Sequence, residues 1–295
     1  MATSAFASPR PILLATDLSA RGDRALDRAV RLARERHARL LALHVMEPSG
    51  AARLAVPAWR RMDTDHRELA EQRLRADLGD AEVAVEVRVE TGKPVDVIGK
   101  VAASEGCELI VTGIARDETL GRILLGSTVE KLVRASEIPT LVVKNRCHGP
   151  YRKAVVATDF SEDSRQALLA ARRLFPDTPF TLFHAFEAML GASGQDSVES
   201  ARAEAEAAAR KFLSDTPGLG EGLATSLRIE HGPPATLLAD HVFTEGVELA
   251  IAGTHGTTGI LRTAIGSVAE SLLERLPCDV LVVRQPKAED RREGR

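Results

Sequence analysis

The sequence predicts an α/β protein made of two similar domains, each with a parallel β-sheet that carries helices on both faces. Two observations lead to this fold class. The second half of the chain repeats the first, and within each half short apolar runs alternate with longer helical patterns. Such alternation is typical of β-α-β units and hence of parallel sheets. A length of 295 residues also suits two domains of ordinary size.

The internal repeat is the strongest sign of this organisation. Its matched pairs are ATDLS (15–19) with ATDFS (157–161), LHVMEP (43–48) with FHAFEA (183–188), EGCELIVTG (105–113) with EGVELAIAG (245–253), and GSTVEKL (126–132) with GSVAESL (266–272). All keep one order and an offset of 140 to 142 residues (44 to 184 and 17 to 159, for example). We therefore predict a duplicated unit, with a first domain at 1–148, a second domain at 149–286 and a charged tail at 287–295.

Each element follows from its residue pattern. Continuous apolar runs predict buried strands at 11–16, 40–45, 108–112 and 140–144, whereas 83–89 alternates apolar and polar residues as a half-exposed strand does. Helices are predicted at 21–37, around 62–78, from Pro94, and at 127–136. The second half repeats this plan from 153 to 284, and its alanine- and charge-rich stretch 197–213 predicts a solvated amphipathic helix.

Composition excludes several classes of protein. A net charge of −3 and 3% aromatic residues argue against a protein whose main partner is nucleic acid. No apolar run approaches the roughly 18 residues of a membrane helix, and the N-terminus lacks the pattern of a signal peptide. Three scattered cysteines do not make a disulfide framework or a zinc ribbon. We expect a cytoplasmic protein without membrane insertion.

Polar residues at strand ends mark the candidate site. In such sheets a ligand binds beyond the carboxyl ends of the strands, at the topological switch point. In the second half, Asp159 follows the first strand, and the loop GTHGTTGILRTAIGS (253–267) follows the fourth. Its spacing is G-x-x-G, nine residues, then G-S. The first two glycines permit a positive φ and close approach of backbone N–H groups to an anion, and the closing Gly-Ser opens a helix whose dipole favours phosphate.

Structural explanations exist for the same residues. Ser267 with Glu270, and Ser127 with Glu130, match the S-x-x-E capping box. An aspartate after a strand often caps the next helix. The loop is not a Walker loop, since no lysine follows its last glycine, and it is not the dinucleotide G-x-G-x-x-G.

The histidines near these loops are weaker candidates for site residues. His255 lies inside the loop and is a candidate contact for phosphate or metal, but no second metal ligand stands at a readable spacing. His44 and His184 match in the repeat, which favours a shared structural or site-edge role over catalysis.

The first half carries an altered copy of the loop. GIARDETLGRILLGS (113–127) has Arg116 where the second copy has Gly256. A non-glycine residue forced into a left-handed conformation costs roughly 1–2 kcal/mol, although a guanidinium is a good partner for phosphate. Asp117 and Glu118 follow it and are unfavourable beside a triphosphate. We expect the second half to bind nucleotide, and the first half to bind it weakly or not at all.

Together these segments resemble the universal stress protein family in its tandem two-domain form. The resemblance is carried by ATDFS, GPPATLLADHVFTEGVELAIAGTHG and GSVAESLLERLPCDVLVV, with their counterparts in the first half. It covers nearly all of both halves except the loops near 48–62 and 187–197 and the tail. The spacing G-x-x-G-x₉-G-S is the nucleotide motif of the ATP-binding branch of that family.

The resemblance implies an architecture and a ligand. The fold would be two flavodoxin-like (adenine nucleotide alpha hydrolase-like) five-stranded parallel sheets with helices on both faces, paired within the chain about a pseudo-twofold axis; a homodimer is left open. The ligand would be ATP with Mg²⁺. The residues implied to contact it in the second domain are Ala157, Thr158, Asp159, Gly253, Gly256, Gly266, Ser267 and Val268, and those in the first domain are Asp17, Val45, Gly113, Gly126 and Ser127.

The implied function is a stress-response protein that binds ATP, mainly in its second domain, as a regulatory or signalling module without enzyme activity. One alternative is a nucleotide-free interaction scaffold or chaperone-like protein. Another is a slow ATPase, since a bound triphosphate with Mg²⁺ needs only an oriented water. The sequence does not specify a protein partner.

Overall fold

The structure, a computed structural model, describes residues 9–19, 22–47, 63–79, 81–114, 126–187, 195–216, 226–254 and 267–284; for 63–65, 195–197 and 267–268 it describes the backbone alone. The chain forms two compact units, and the described residues divide between them after Gly149. We call these the first and the second domain.

The first domain alternates strands and helices. Its described elements are β1 (Ile12–Thr16), α1 (Asp23–Glu35), β2 (Leu40–Met46), α2 (Asp63–Leu78), β3 (Val85–Thr91), α3 (Pro94–Ser104), β4 (Leu109–Gly113), α4 (Ser127–Ala135) and β5 (Thr140–Val143). The strands are parallel, in the order β3-β2-β1-β4-β5.

The second domain repeats the plan. Its described elements are β6 (Ala154–Ala157), α5 (Glu162–Leu174), β7 (Phe180–Phe186), α6 (Gln195–Ser214), β8 (Ser226–His231), α7 (Pro234–Glu245), β9 (Leu249–Gly253), α8 (Ser267–Arg275) and β10 (Asp279–Val283). The strands are again parallel, in the order β8-β7-β6-β9-β10.

Burial explains why the sequence forms these elements. The central strands are apolar throughout because helices cover both faces of the sheet: Leu13 and Leu14, which point to opposite faces of β1, are both fully buried. Helix α1 buries Ala25, Ala29 and Leu32, which lie on one face at helical spacing. The predicted flavodoxin-like α/β fold is confirmed in each domain.

Strand β3 differs from its predicted pattern. It runs two residues later than the predicted 83–89, and Val89 alone among its residues is fully buried. The cause is its position at the end of the sheet, where Glu86 and Arg88 are half-buried in ion pairs. Arg88 contacts Glu86 at 2.7 Å and Glu105 at 2.6 Å, and Arg39 contacts Glu105 at 2.8 Å. The alternation in the sequence therefore reflects an ion-pair network as well as burial.

Among the described helices, none combines the length and the apolar character needed to cross a bilayer.

Candidate functional site

A pocket opens at the carboxyl end of the sheet in the first domain. Its walls are the ends of β1, β2 and β4, the start of α3 and the first turn of α4, and its volume is about 340 Å³. It lies at the switch point of the sheet, because the chain passes from β1 to β2 on one side and returns to β4 on the other. The five residues that the family resemblance implied for this domain all line it: Asp17, Val45, Gly113, Gly126 and Ser127.

The pocket has an apolar wall and a polar rim. The apolar wall consists of Leu43, Val45, Ile98, Ile114 and Val129. The rim includes the exposed carboxylates of Asp17 and Glu47 and the hydroxyl groups of Thr16, Ser19, Thr112 and Thr128. No basic side chain is among the described residues that line it. This arrangement suits a ligand with a flat apolar part and hydroxyl donors for the carboxylates.

A left-handed residue follows the site aspartate. Leu18 has φ 60°, a conformation that costs roughly 1–2 kcal/mol outside glycine. Side-chain hydrogen bonds offset the cost: the hydroxyl of Thr16 accepts from Leu18 N–H at 3.1 Å, and Oδ1 of Asp17 accepts from Ser19 N–H at 3.0 Å. The Ser19 hydroxyl donates to the same carboxylate oxygen at 2.7 Å. The turn therefore holds the Asp17 carboxylate at the pocket rim.

The second domain builds the same turn from its own residues. Phe160 has φ 61°, and its N–H donates to the Thr158 hydroxyl at 2.9 Å. Oδ1 of Asp159 accepts from Ser161 N–H at 3.1 Å. Ser161 is the N-cap of α5 and accepts from Ser164 N–H at 3.3 Å. The alternative that Asp159 caps this helix is wrong, because Ser161 fills that position.

The two matched histidines join β-strands at the site edge. Nδ1 of His44 lies 2.9 Å from the carbonyl oxygen of Thr16, and Nδ1 of His184 lies 2.8 Å from that of Thr158. A carbonyl only accepts, so each Nδ1 carries the proton and donates. Each histidine ties the second strand of its domain to the end of the first, which is the structural role that the matching positions predicted.

The capping-box interpretation of Ser127 is wrong. The N-cap of α4 is Gly126, with φ −60° and ψ 139°, and no side chain caps the helix. Ser127 is instead the first helical residue and lines the pocket, while Glu130 pairs with Arg134 at 2.6 Å one turn later. The first N–H groups of α4 therefore have no side-chain cap at the point where the helix meets the pocket.

Gly253 lies in a tight packing contact, which the sequence did not reveal. It ends β9 without a positive φ, so that part of the prediction is wrong. A Cβ at this position would lie 3.1 Å from the carbonyl oxygen of Asp163 and 3.2 Å from its carbonyl carbon. Strand β9 thus passes against the backbone of the first turn of α5, and a side chain at this position would require that backbone to shift by a few tenths of an ångström.

Other predicted residues are placed only in part. Ala157 ends β6, with Thr158 and Asp159 directly after it, at the same edge as Gly253. Ser267 and Val268 begin α8, where the backbone alone is described. The remaining predicted residues lie outside the described ranges: Gly256, Gly266, His255, Arg116, Asp117 and Glu118. Within the described ranges, no three His, Cys, Asp or Glu side chains are grouped to hold a metal ion.

Several residues that line the pocket were not predicted from the sequence. Gly22 and Glu47 line the first-domain pocket but do not belong to the glycine-loop motif. The repeat contained a signal for both: Gly22 aligns with Ser164, whereas Glu47 aligns with a second glutamate, Glu187. A position that changes between two copies of one site is a candidate for their difference in ligand.

Comparison with known proteins identifies the family. The model of the universal stress protein family matches residues 9–144 and again residues 150–284. The chain belongs to the universal stress protein family. Its tandem arrangement of two such domains is therefore shown, as the repeat predicted.

Relatives and solved structures agree with this assignment. A universal stress protein of Mycolicibacterium smegmatis is 24% identical over 300 residues, which cover 92% of this chain and 96% of the relative. One from Methanocaldococcus jannaschii is 26% identical over 145 residues, 47% of this chain and 85% of the relative.

Among solved structures, a universal stress protein from Archaeoglobus fulgidus has a TM-score of 0.67 at 20% identity, covering 94% of this chain and 99% of that one. A functionally unknown protein from Pseudomonas aeruginosa has a TM-score of 0.68 at 22% identity, covering 93% and 92%. These two structures share the fold of this universal stress protein.

Proposed function

We propose that this universal stress protein is a regulatory adenine-nucleotide-binding module that binds ATP mainly in its second domain and acts through binding instead of catalysis. The observation that carries the proposal is the first-domain pocket, whose lining includes every position that the family resemblance assigned there. The second domain has the same scaffold and, in its sequence, the complete glycine motif.

Matching hydrogen bonds around the strand ends support the inference that the second domain has a site equivalent to that of the first. In both domains the first strand ends in Thr-Asp, a left-handed residue follows, and a histidine from the second strand holds the threonine carbonyl. The fourth strand ends in glycine at the same edge, next to the start of the last helix. These contacts support the inference that Asp159 and Gly253 correspond to Asp17 and Gly113, with α8 in the place of α4.

Each part of an adenine nucleotide has a suitable partner on this scaffold. The apolar wall suits the base, an aspartate carboxylate suits a ribose hydroxyl, and the N-terminus of the last helix suits a phosphate. The triphosphate would carry several negative charges, and Mg²⁺ would bind its phosphate oxygens, since this ion prefers oxygen ligands. The loop 254–266 contains Arg262 and no acidic residue, whereas in 114–125 the charges of Asp117 and Glu118 offset those of Arg116 and Arg122. That difference favours the second domain for a triphosphate.

The decisive experiment counts the nucleotide that the chain carries. Freshly purified protein is denatured, and the released nucleotide is identified by chromatography and mass spectrometry. About one adenine nucleotide per chain supports one working site. About two per chain contradict the difference between the domains. None, with no uptake of added Mg-ATP, overturns the proposal and favours the nucleotide-free scaffold, and steady release of ADP from bound ATP favours the slow ATPase.

A substitution assigns the site to the second domain. Gly256→Arg copies the residue of the first loop into the second, and we expect it to lower ATP affinity about five- to thirtyfold, because a non-glycine residue in the left-handed conformation that the motif predicts here costs roughly 1–2 kcal/mol. Gly259→Arg is the matched control, since it adds the same charge to the same loop outside the motif. If both variants bind ATP like the unaltered chain, the site does not use this loop.

A further inference from the structure

Gly22 has a role in the first-domain pocket that its backbone conformation does not explain. It is the N-cap of α1 with φ −73° and ψ −18°, a conformation that any residue adopts. Serine is preferred over glycine at N-cap positions, so helix stability does not select glycine here. What glycine provides is space: a Cβ would lie 2.9 Å from Oγ1 of Thr16 and 3.6 Å from Oδ1 of Asp17.

The second domain shows what happens when this space is filled. Ser164 stands at the aligned position, and its hydroxyl lies 3.0 Å from the hydroxyl of Thr158. The Ser164 hydroxyl also donates to the carbonyl of Ser161 at 3.0 Å, so the Thr158 hydroxyl is the donor between the two side chains. Thr158 is buried, with 8% of its surface exposed. Serine at this position therefore accepts the hydrogen bond that the Thr158 hydroxyl would otherwise offer to a ligand.

In the first domain the equivalent hydroxyl proton is available. The Thr16 hydroxyl accepts from Leu18 N–H, and no acceptor among the described residues takes its proton. Thr16 is half-buried and lines the pocket together with Gly22. A ligand atom that accepts a hydrogen bond can meet this hydroxyl, whereas the same atom would find the Thr158 hydroxyl already paired.

The remaining lining indicates which class of ligand this is. The wall beside Thr16 is apolar, with Leu43, Val45 and Ile98, and the rim carries the carboxylates of Asp17 and Glu47 without a basic side chain among the described lining residues. A polyanion is disfavoured beside two carboxylates. An uncharged nucleoside has a flat base with acceptor nitrogens and ribose hydroxyls that donate to carboxylates.

We propose that Gly22 determines the specificity of the first-domain pocket: by leaving the Thr16 hydroxyl open, it lets this pocket bind a nucleoside through an acceptor atom of the base, a contact that Ser164 closes in the second domain. This inference rests on the proposed function and deepens it, because the two domains then take different members of one ligand class. The second domain holds a triphosphate through its loop, and the first holds an uncharged nucleoside through Thr16.

The test uses the full chain with ¹³C-labelled isoleucine methyl groups. Ile98 and Ile114 line the first-domain pocket, and Ile251 lies in β9 of the second domain, so nuclear magnetic resonance separates the two domains during a titration. With adenosine, we expect saturable shifts of the Ile98 and Ile114 methyls. Gly22→Ser should weaken this binding about fivefold, because one hydrogen bond usually contributes about 1 kcal/mol. Ser164→Gly is the matched control and should leave adenosine affinity at Ile98 unchanged.

A double-mutant cycle separates the hydroxyl contact from a general structural effect. Thr16→Val removes the hydroxyl and should weaken adenosine binding as Gly22→Ser does, with no further loss when the two are combined. Thr16→Ser keeps the hydroxyl and should retain the affinity. Urea denaturation of each variant establishes that it is folded.

The outcomes distinguish this inference from the proposed function. If the unaltered chain binds adenosine and Gly22→Ser binds it within about twofold, or if the two effects add, Gly22 does not act through Thr16. If adenosine moves neither Ile98 nor Ile114 while the chain still carries ATP, the inference fails and the proposed function stands. If neither ligand binds in either domain, both fail.

Discussion

Gly253→Ala tests whether the glycine at the end of β9 is required by packing or by a ligand. The new Cβ would approach two backbone atoms of Asp163 to 3.1 and 3.2 Å, inside the 3.4 Å at which ordinary contact begins. Overpacking of this kind costs about 1–3 kcal/mol, and the lower entropy of the unfolded alanine chain offsets about 0.4–1 kcal/mol. We expect the nucleotide-free second domain to lose about 1 kcal/mol of unfolding free energy.

Gly99→Ala is the matched control for this substitution. Gly99 lies inside helix α3, and a Cβ there would meet no atom within 4 Å. Helix propensity alone should then raise the stability of the first domain by about 0.8 kcal/mol. The two substitutions add the same methyl group, so opposite signs would isolate the contact with Asp163.

Two buried cysteines make the assay specific for each domain. Cys107 lies in the first domain and Cys278 in the second, each with 1% of its surface exposed. Burial raises the pKa of the Cys107 thiol from 9.0 to about 11, so in the folded state it stays protonated and reacts more slowly than a thiolate. With the partly exposed Cys147 replaced by serine, pulses of alkylating reagent at increasing urea read the unfolding of each domain by mass spectrometry.

The refuting result is a Gly253→Ala protein whose second domain is as stable as before, or more stable. The backbone of α5 would then yield without cost, and the glycine would be explained by ligand approach alone. Under that explanation the substitution lowers nucleotide affinity while nucleotide-free stability does not fall.

Two further predictions concern buried polar groups of the second domain. Tyr151→Phe removes the buried hydrogen bond from the tyrosine hydroxyl to Oδ2 of Asp279 at 2.6 Å, and urea unfolding should show a loss of about 1.5–3 kcal/mol, because the acceptor is a carboxylate; a loss under about 0.5 kcal/mol would contradict this. Burial, and after it Arg228, lowers the pKa of His241 below 6.5. The unfolded chain therefore binds more protons as the pH falls below 6.5, and stability decreases there. His241→Val, which copies the valine of the first domain, should lose less stability than the unaltered chain between pH 7 and about pH 5. If the urea midpoint falls by the same amount in both proteins over this range, His241 is not the group responsible.

Local sequence was enough to predict the fold. Apolar runs and helical spacing are properties of neighbouring residues, and the repeat doubled each signal. The strand Ile12–Thr16 and the helix Asp23–Glu35 therefore lie close to their predicted positions. Positions at the carboxyl ends of parallel strands meet at one edge of the sheet, which predicted where the site lies. The family resemblance implied Asp17, Gly113 and Ser127 as its residues, and the structure places all three around one pocket.

The exact backbone conformation at helix starts and tight turns could not be predicted from the sequence. The pattern S-x-x-E predicted a cap at Ser127, but the path of the chain into α4 places Gly126 at the N-cap and Ser127 in the pocket wall. Glycine is the usual sequence signal for a left-handed residue, but Leu18 and Phe160 adopt this conformation without it. Side-chain hydrogen bonds within each turn offset the cost.

The sequence by itself determined the duplication, the parallel sheets and the edge at which the site lies, because periodicity and motif order are written in neighbouring residues. Only the tertiary structure decided why particular glycines are present. Gly253 makes room for the backbone of α5, and Gly22 leaves the Thr16 hydroxyl open to the pocket. Both reasons depend on distances of about 3 Å between atoms of different elements, and such distances exist only once the elements have packed.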